Sequence, residues 1–450
     1  MPVGATRDAG PGAADGSVPP RPRILVCAYA CRPALGSEEA VGWNWVQAMA
    51  SFCEVTVITA VFHRDAIESF LRTTEAPWAR HVDFIYPPSR PWHYRPTPSW
   101  RWIEGSLLKP LMNSAYRGWL RAAARIAARL VAERPFDLTH QLTYVGFRFP
   151  GGLWRLAPPF VWGSIGGLED TPWRLFGALS PVGMLYFGGR NLINGLHRRL
   201  LSAPRHAAVR AGPGLIAATS GIARALQRCY GSPSTIISEV TTPPLRVGAL
   251  TRRVAGEPLQ IIWSGEHTPG KALPLLLRAL ARLPEVVVWR LTIFGCGSCT
   301  QRWRRLSRRL GLEACCRWRG QVSREAMLAA LDEGHLFVIT SLKDLTSTVL
   351  VEALSRGLPV LCPDHCGFAD ALTPASGIRL PITSPPTFIA ALRDALLLLH
   401  DDEARRRCLS VGARRRARAF RVEAKVLALQ AIYARVLAPT GMGLDGTGRR

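Results

Sequence analysis

Arg23-Ile-Leu-Val-Cys-Ala-Tyr29 is a short apolar run, broken by Pro33-Ala-Leu-Gly36-Ser and followed by a helix pattern from Glu38 to Ala50. A run of this length bounded by turn residues reads as a buried strand, and the whole segment as a strand-turn-helix unit. Glu54-Val-Thr-Val-Ile-Thr-Ala60 and Val82-Asp-Phe-Ile-Tyr86 repeat the strand, with material of crossover length between them. Alternation of this kind argues for a parallel sheet, because parallel neighbours need a long connection. Further on, Leu111, Ala115, Trp119, Ala122, Ile126 and Leu130 form a helical stripe ending before Pro135, with Arg121, Arg125 and Arg129 on another face. Asp137-Leu-Thr-His140 and Pro159-Phe-Val-Trp-Gly163 read as strand ends, residues 173–200 as a less regular insertion, and Gly214–Ser220 as a return to the strand-then-helix rhythm.

Thr241–Pro258 is rich in Pro and Arg and has no periodicity, which marks a linker. Beyond it Leu259–Ser264, Arg290–Phe294, Cys316–Arg319, Leu336–Thr340 and Pro359–Cys362 are strand-like, with helices of suitable length between them. The second half is therefore expected to be another doubly wound unit. The expected fold class is α/β, with two Rossmann-like domains facing across a cleft. The boundaries are a disordered leader at 1–20, a first domain at 21–245, a linker at 246–258 and a second domain at 259–417. A helix at 418–437 is a candidate to return to the first domain, and 438–450 is a disordered tail.

Bulk properties agree with two domains, since 450 residues exceed one ordinary core and 48% hydrophobic against 20% charged residues is a globular balance. Fifty-seven Lys and Arg against 32 Asp and Glu leave a charge of +25, which favours an anionic partner. The arginines are spread over helical segments with no compact basic tract, so solvated faces explain them as well. The eleven cysteines are odd in number and sit mainly in apolar surroundings, as Cys27, Cys53 and Cys362 do, which points to a reducing cytoplasm. The leader lacks the apolar core of a secretory signal, and no stretch of about 18 apolar residues occurs. Any membrane contact is expected to be peripheral, on the inner face, through the Arg121, Arg125, Arg129 face and a cluster of Trp173, Leu175, Phe176, Leu185, Tyr186 and Phe187.

The segment richest in chemistry is Ser341-Leu-Lys-Asp-Leu-Thr-Ser-Thr-Val-Leu-Val-Glu352-Ala-Leu, directly after an apolar strand. Thr346, Ser347 and Thr348 stand at an expected helix N-terminus, where unpaired N–H groups hold anions such as a diphosphate. Asp344 and Glu352 bracket them as acceptors for sugar and ribose hydroxyls. An ordinary capped helix with Glu352 on its face has the same spacing.

Asp344-x7-Glu352 and the following Glu352-Ala-Leu-Ser-Arg-Gly357-Leu-Pro359-Val360 resemble the Glu-x7-Glu segment of retaining glycosyltransferases of family 4, whose two-domain fold is called GT-B. Asp344 stands where the first Glu is usual. The resemblance implies that Asp344 contacts the donor sugar and Glu352 the nucleotide ribose. Gly265-Glu-His-Thr-Pro-Gly-Lys271 resembles the segment whose Arg and Lys grip the donor diphosphate, with Glu266 in the place of the Arg. Gly295-Cys-Gly297 resembles the Gly-x-Gly turn, and Gly320-Gln-Val322 the loop near the base. In the first domain, Gly36 and Ser37 resemble the loop that meets the donor from across the cleft, with Glu38 on the acceptor side. Asp137-x-x-His140 resembles a strand-end motif with a catalytic His, and Gly166-Gly167 a glycine-rich acceptor-side strand end. The first domain is then acceptor-binding and the second nucleotide-sugar-binding.

What the resemblance implies is transfer of a sugar from a nucleotide-diphosphate sugar to a glycan or lipid-linked acceptor, with retention, in bacterial polysaccharide or glycolipid synthesis. Asp344, His140 and Lys271 are the expected catalytic residues. No Asp-x-Asp stands at a strand end, and Cys296-Gly-Ser-Cys299 lacks a partnering His pair, so neither a cofactor nor a metal is expected. Two other readings stay open: a nucleotide-sugar 2-epimerase on the same plan, and a basic nucleic-acid-binding protein. The latter lacks a helix-turn-helix, zinc-finger or RNA-binding aromatic signature, and no nucleic-acid partner is expected.

Overall fold

The computed structural model describes residues 20–33, 36–88, 102–246 and 248–438, apart from the side chains of Ser37 and residues 102–113. The expected leader up to residue 19, the tail from residue 439 and linker residue 247 lie outside the described residues.

Seven strands form the first sheet: β1 (Arg23–Ala28), β2 (Glu54–Ile58), β3 (Val82–Ile85), β4 (Leu138–Thr143), β5 (Phe160–Ile165), β6 (Leu215–Ala217) and β7 (Thr235–Ile236). All pair in parallel in the order β3-β2-β1-β4-β5-β6-β7. Six more form the second: β8 (Leu259–Ser264), β9 (Trp289–Phe294), β10 (Cys316–Gly320), β11 (Leu336–Val338), β12 (Val360–Pro363) and β13 (Gly377–Leu380). They too are parallel, ordered β10-β9-β8-β11-β12-β13. The order reverses between β1 and β4 in one sheet and between β8 and β11 in the other. Crevices at such reversals, beyond the carboxyl ends of the strands, are where open α/β sheets take ligands.

Period-two burial builds both cores. Ile24, Val26 and Ala28 of β1 enter one hydrophobic cluster, while Leu25 and Cys27 enter another on the opposite face. Leu259, Ile261 and Trp263 of β8 likewise face one side and Ile262 the other. Strands covered on both faces need such continuous apolar runs, and each fully buried Leu or Ile stabilises by about 2 kcal/mol.

Residues 173–200 are more regular than their sequence suggests. A 3-10 turn at Trp173–Ala178 leads into a 20-residue helix, Pro181–Leu200. The C-terminal helix Val422–Leu437 buries Leu429, Ile432 and Tyr433 against the first sheet, in one cluster with Trp45 and Val46. No helix of the described residues is long and apolar enough to cross a membrane.

Candidate active site

The loop after β8 turns tightly at Pro269–Lys271, and the helix Leu273–Leu280 follows. The Lys271 carbonyl accepts the Thr340 hydroxyl at 2.7 Å, which ties this loop to the end of β11. Lys271 Nζ thereby reaches Asp344 Oδ2 at 2.5 Å, with both side chains about a quarter exposed. The two residues lie 73 positions apart and meet because β8 and β11 are neighbours across the strand-order reversal.

Ser347 precedes the helix Thr348–Ser355 with φ 73°, and no side chain caps that helix. The first-turn N–H groups of Thr348 and Val349 are thus left for an outside acceptor. Thr346 does not join them. It is buried, its N–H donates to Glu239 Oε1 at 2.8 Å, its hydroxyl donates to Glu239 Oε2 at 3.1 Å, and the Ser238 hydroxyl bonds to it at 2.9 Å. Its expected donor contact is corrected: Thr346 joins the strand-end segment after β7 to the second sheet.

Glu352 is nearly buried on the same helix, and its Oε1 accepts from Arg324 Nε at 2.9 Å. Burial pushes its carboxyl above the usual range, and Arg324 and Arg356 pull it back. Arg324 was missed in the sequence because it stands 28 residues away, on the far side of β11. Val322, half-buried, leads into this arginine.

The Gly-x-Gly turn packs against the loop that carries Lys271. Gly295 has φ 102°, and a Cβ there would run into the Gly265 carbonyl. At Gly297 a Cβ would meet the backbone of His267, whose N–H donates to the Cys296 carbonyl at 2.9 Å. Both glycines therefore permit close contact between loops. Gly265 in turn lies against the Lys271 stem.

From the first sheet, Gly36 is exposed and precedes the helix Ser37–Ala50, which carries Ser37 and Glu38 at its start. Glu38 Oε2 accepts the Val145 N–H at 3.3 Å, and burial pushes its carboxyl up to about 8, with Glu39 and Glu239 adding to the shift. The shift favours its neutral form. Gly166 follows β5 and lies directly under the Leu345 side chain, where a Cβ would clash, so the two sheets' carboxyl ends touch beside Asp344. Gly167 has φ 85° and lies against Phe147.

His140 is not in the cleft. It is wholly buried; Nε2 lies 2.8 Å from the Gly163 carbonyl and Nδ1 2.8 Å from the Tyr433 hydroxyl. The carbonyl can only accept, so Nε2 carries the proton and Nδ1 accepts from Tyr433. Burial lowers its pKa to about 4, and it stays neutral. Its expected catalytic role is corrected to a structural one, because β4 runs on to Thr143 and leaves His140 mid-strand.

Further contacts that the sequence did not suggest cross the cleft. Lys343 Nζ donates to the Glu169 carbonyl, and His365 Nε2 lies 3.1 Å from the Asp170 carbonyl. Ser220 N–H donates to Asp370 at 2.6 Å. Among the described residues one group of metal-ligand types converges, Glu169, His365 and Cys366, with candidate atoms within 4.8 Å of one another. Lys343, whose charge interacts with Cys366, opposes a cation there. Cys296 and Cys299 are not part of it.

Residues 252–415 match the family described as glycosyl transferases group 1, and this segment contains Lys271, Asp344 and Glu352. D-inositol 3-phosphate glycosyltransferase of Geodermatophilus obscurus is 29% identical over 239 residues, 49% of this chain and 52% of the relative. The chain thus spans about half the length of that curated relative. Sucrose-phosphate synthase from Thermosynechococcus elongatus superposes with a TM-score of 0.61 at 17% identity, covering 93% of this chain and 100% of that one. Anabaena HepE in complex with UDP gives 0.57 at 15% identity, covering 92% and 100%. At such identities the likeness is one of fold, two Rossmann-like domains facing across a cleft. The sequence matches support the general class of a group 1 glycosyltransferase.

Proposed function

We propose that this protein is a metal-independent, retaining glycosyltransferase of the family 4 type, moving a sugar from a nucleoside-diphosphate sugar to a glycan or lipid-linked acceptor. The setting we infer is bacterial polysaccharide or glycolipid synthesis at the cytoplasmic side of a membrane. The observation that carries this reading is the Lys271–Asp344 pair at 2.5 Å, at the carboxyl ends of β8 and β11 in the segment that matches the glycosyl transferase family. One fold relative, HepE, was solved with UDP and with UDP and glucose.

In this reading the diphosphate takes Lys271 from Asp344, with the N–H groups of Thr348 and Val349 supplying further positive potential. Freed from the ammonium, Asp344 accepts hydroxyls of the donor sugar. Glu352, held in place by Arg324, accepts the ribose hydroxyls. As the bond from the anomeric carbon to the phosphate oxygen breaks, Lys271 stabilises the charge building on the departing diphosphate. The acceptor oxygen bonds to the same face of the carbon, and its proton passes to the leaving phosphate oxygen. Glu38, its carboxyl pushed toward the neutral form, meets the acceptor from the first domain.

The test is release of nucleoside diphosphate from a panel of nucleotide sugars, with and without glycan and lipid-linked acceptors, and anomeric assignment of the product. Acceptor-stimulated release from one donor with the α or β configuration kept supports the reading. Absence of release from every donor contradicts it, and inversion contradicts the retaining part.

A further inference from the structure

The helix Pro181–Leu200 starts from Ser180, whose Oγ accepts the Gly183 N–H at 3.2 Å. One of its sides is seated. Gly183 lies against Pro269 and Phe187 against Gly270, while Asn191 bonds both backbone groups of Thr171. The other side is Val182, Leu185, Leu192, Ile193, Leu196 and Leu200, each between half and four-fifths exposed. Their spacing keeps them on one helix face over roughly 27 Å, at 1.5 Å per residue. Exposed apolar residues are normally scattered singly, and a contiguous stripe marks an interaction surface.

This stripe differs from the expected cluster. Leu175 and Phe187 are buried and Phe176 and Tyr186 half-buried, so of that set Trp173 and Leu185 face out. Arg121, Arg125 and Arg129 are exposed on the helix Trp102–Glu133, but no large apolar side chain is exposed with them among its described residues.

Charge accompanies the stripe. Pro181–Leu200 contains no Asp or Glu, and its Arg190 and Arg199 are exposed, while Arg198 is paired with Asp170. At the N-terminal end of the helix, beside Ser180, lies a cavity of about 450 Å³ lined by Arg278, Arg302, Arg305 and Arg309, with no carboxylate in its wall. Pro269 of the Lys271 loop lines it too.

We propose that this face, the outer stripe of helix Pro181–Leu200 with the arginine-lined cavity beside it, docks on an anionic lipid bilayer. A bilayer satisfies both halves of the surface, since the leucines enter the acyl boundary while the arginines meet headgroup phosphates. A second copy does not, because pairing the same face with itself sets arginines against arginines. Docking there seats on the lipid surface the helix whose inner side covers Pro269 and Gly270 of the Lys271 loop. Resting on the glycosyl-transfer reading, this selects a lipid-linked acceptor over a soluble glycan.

The test uses the full chain with phosphatidylcholine vesicles, with and without phosphatidylglycerol. Cosedimentation is expected with the anionic vesicles alone and is weakened by high salt. Leu192→Asp/Leu196→Asp and Arg302→Glu/Arg305→Glu each lower the partition coefficient at least tenfold, given roughly fivefold per arginine near an anionic surface. Nucleoside diphosphate release in solution, measured in parallel, stays at the wild-type rate in both variants. Equal binding to both vesicle types, binding to neither, or wild-type partition in both variants overturns the proposal. A concentration-dependent dimer abolished by Leu192→Asp/Leu196→Asp also overturns it, in favour of a second copy. Docking lost with release intact removes this proposal alone; docking intact with no release from any donor removes the transferase reading alone.

Discussion

Lys271 Nζ and Asp344 Oδ2 lie 2.5 Å apart at the carboxyl edge of the second sheet, although 73 residues separate them. Both remain about a quarter exposed. A partly exposed, solvent-screened ion pair of this kind contributes about 1 kcal/mol to stability. The pair is therefore better placed to exchange partners with a charged ligand than to hold the fold.

The Glu352–Arg324 pair gives a pH-dependent expectation. Burial already raises the Glu352 carboxyl, and Arg324 opposes that shift. Arg324→Ala removes the opposition, so the carboxyl rises further and protonates at higher pH. Donor affinity in the variant should fall as pH drops toward the ordinary carboxylate range, where the wild type still binds. Glu352→Gln should weaken donor affinity about tenfold at all pH values. Nucleotide titrations by calorimetry between pH 5 and 8 check both, and a pH profile unchanged by Arg324→Ala would argue against the coupling.

His140 predicts a stability effect without a catalytic one. Its folded pKa lies near 4, below the unfolded value near 6.5, so between these values the unfolded chain binds more protons. Stability is present above pH 6.5 and is lost as pH falls toward 4, by about 3 kcal/mol in all. His140→Phe should remove this slope in urea melts while leaving turnover per folded molecule within about twofold, since no substrate contact is lost. A loss of turnover with stability unchanged would restore a catalytic role.

Glu38 runs the other way. Its folded pKa of about 8 lies above the unfolded value of 4.5, so the folded chain binds more protons between them. Stability from this group is present below 4.5 and declines as pH rises through 8. Glu38→Gln should match the wild type at pH 5 and be more stable at pH 9. Parallel thermal melts that keep the same difference at both values would count against the upward shift of the Glu38 carboxyl.

Chelation is a separate check. In the proposed donor site Lys271 and helix N–H groups neutralise the diphosphate, so turnover should be unaltered by EDTA after exhaustive dialysis. Loss of turnover restored by manganese or magnesium would contradict this, and restoration by zinc alone would direct attention to Glu169, His365 and Cys366.

How far the sequence carried depends on range. Strands such as Leu259–Ser264 were legible because both faces are buried and the apolar run is continuous. The short edge strands Thr235–Ile236 and Gly377–Leu380 were not, having too few residues to show a pattern. The helix Pro181–Leu200 read as irregular because its apolar stripe points outward and four glycines interrupt it. At the site, Lys271, Asp344 and Glu352 carried local motif signals. Thr346 was misread because its partner, Glu239, lies 107 residues away, and no local pattern reports such a contact. His140 was misplaced by three residues of strand length.

The most direct measurement is turnover of the identified donor by Lys271→Ala and Asp344→Asn, each compared with wild type at saturating donor. Removing one charge-stabilising group from the departing diphosphate or the sugar should lower kcat by at least about 100-fold. Circular dichroism and melting temperature should stay close to wild type, because the pair is solvent-accessible and holds no core packing. Both variants turning over within a few fold of wild type, correctly folded, would contradict the assignment of this pair as the donor end of a glycosyltransferase.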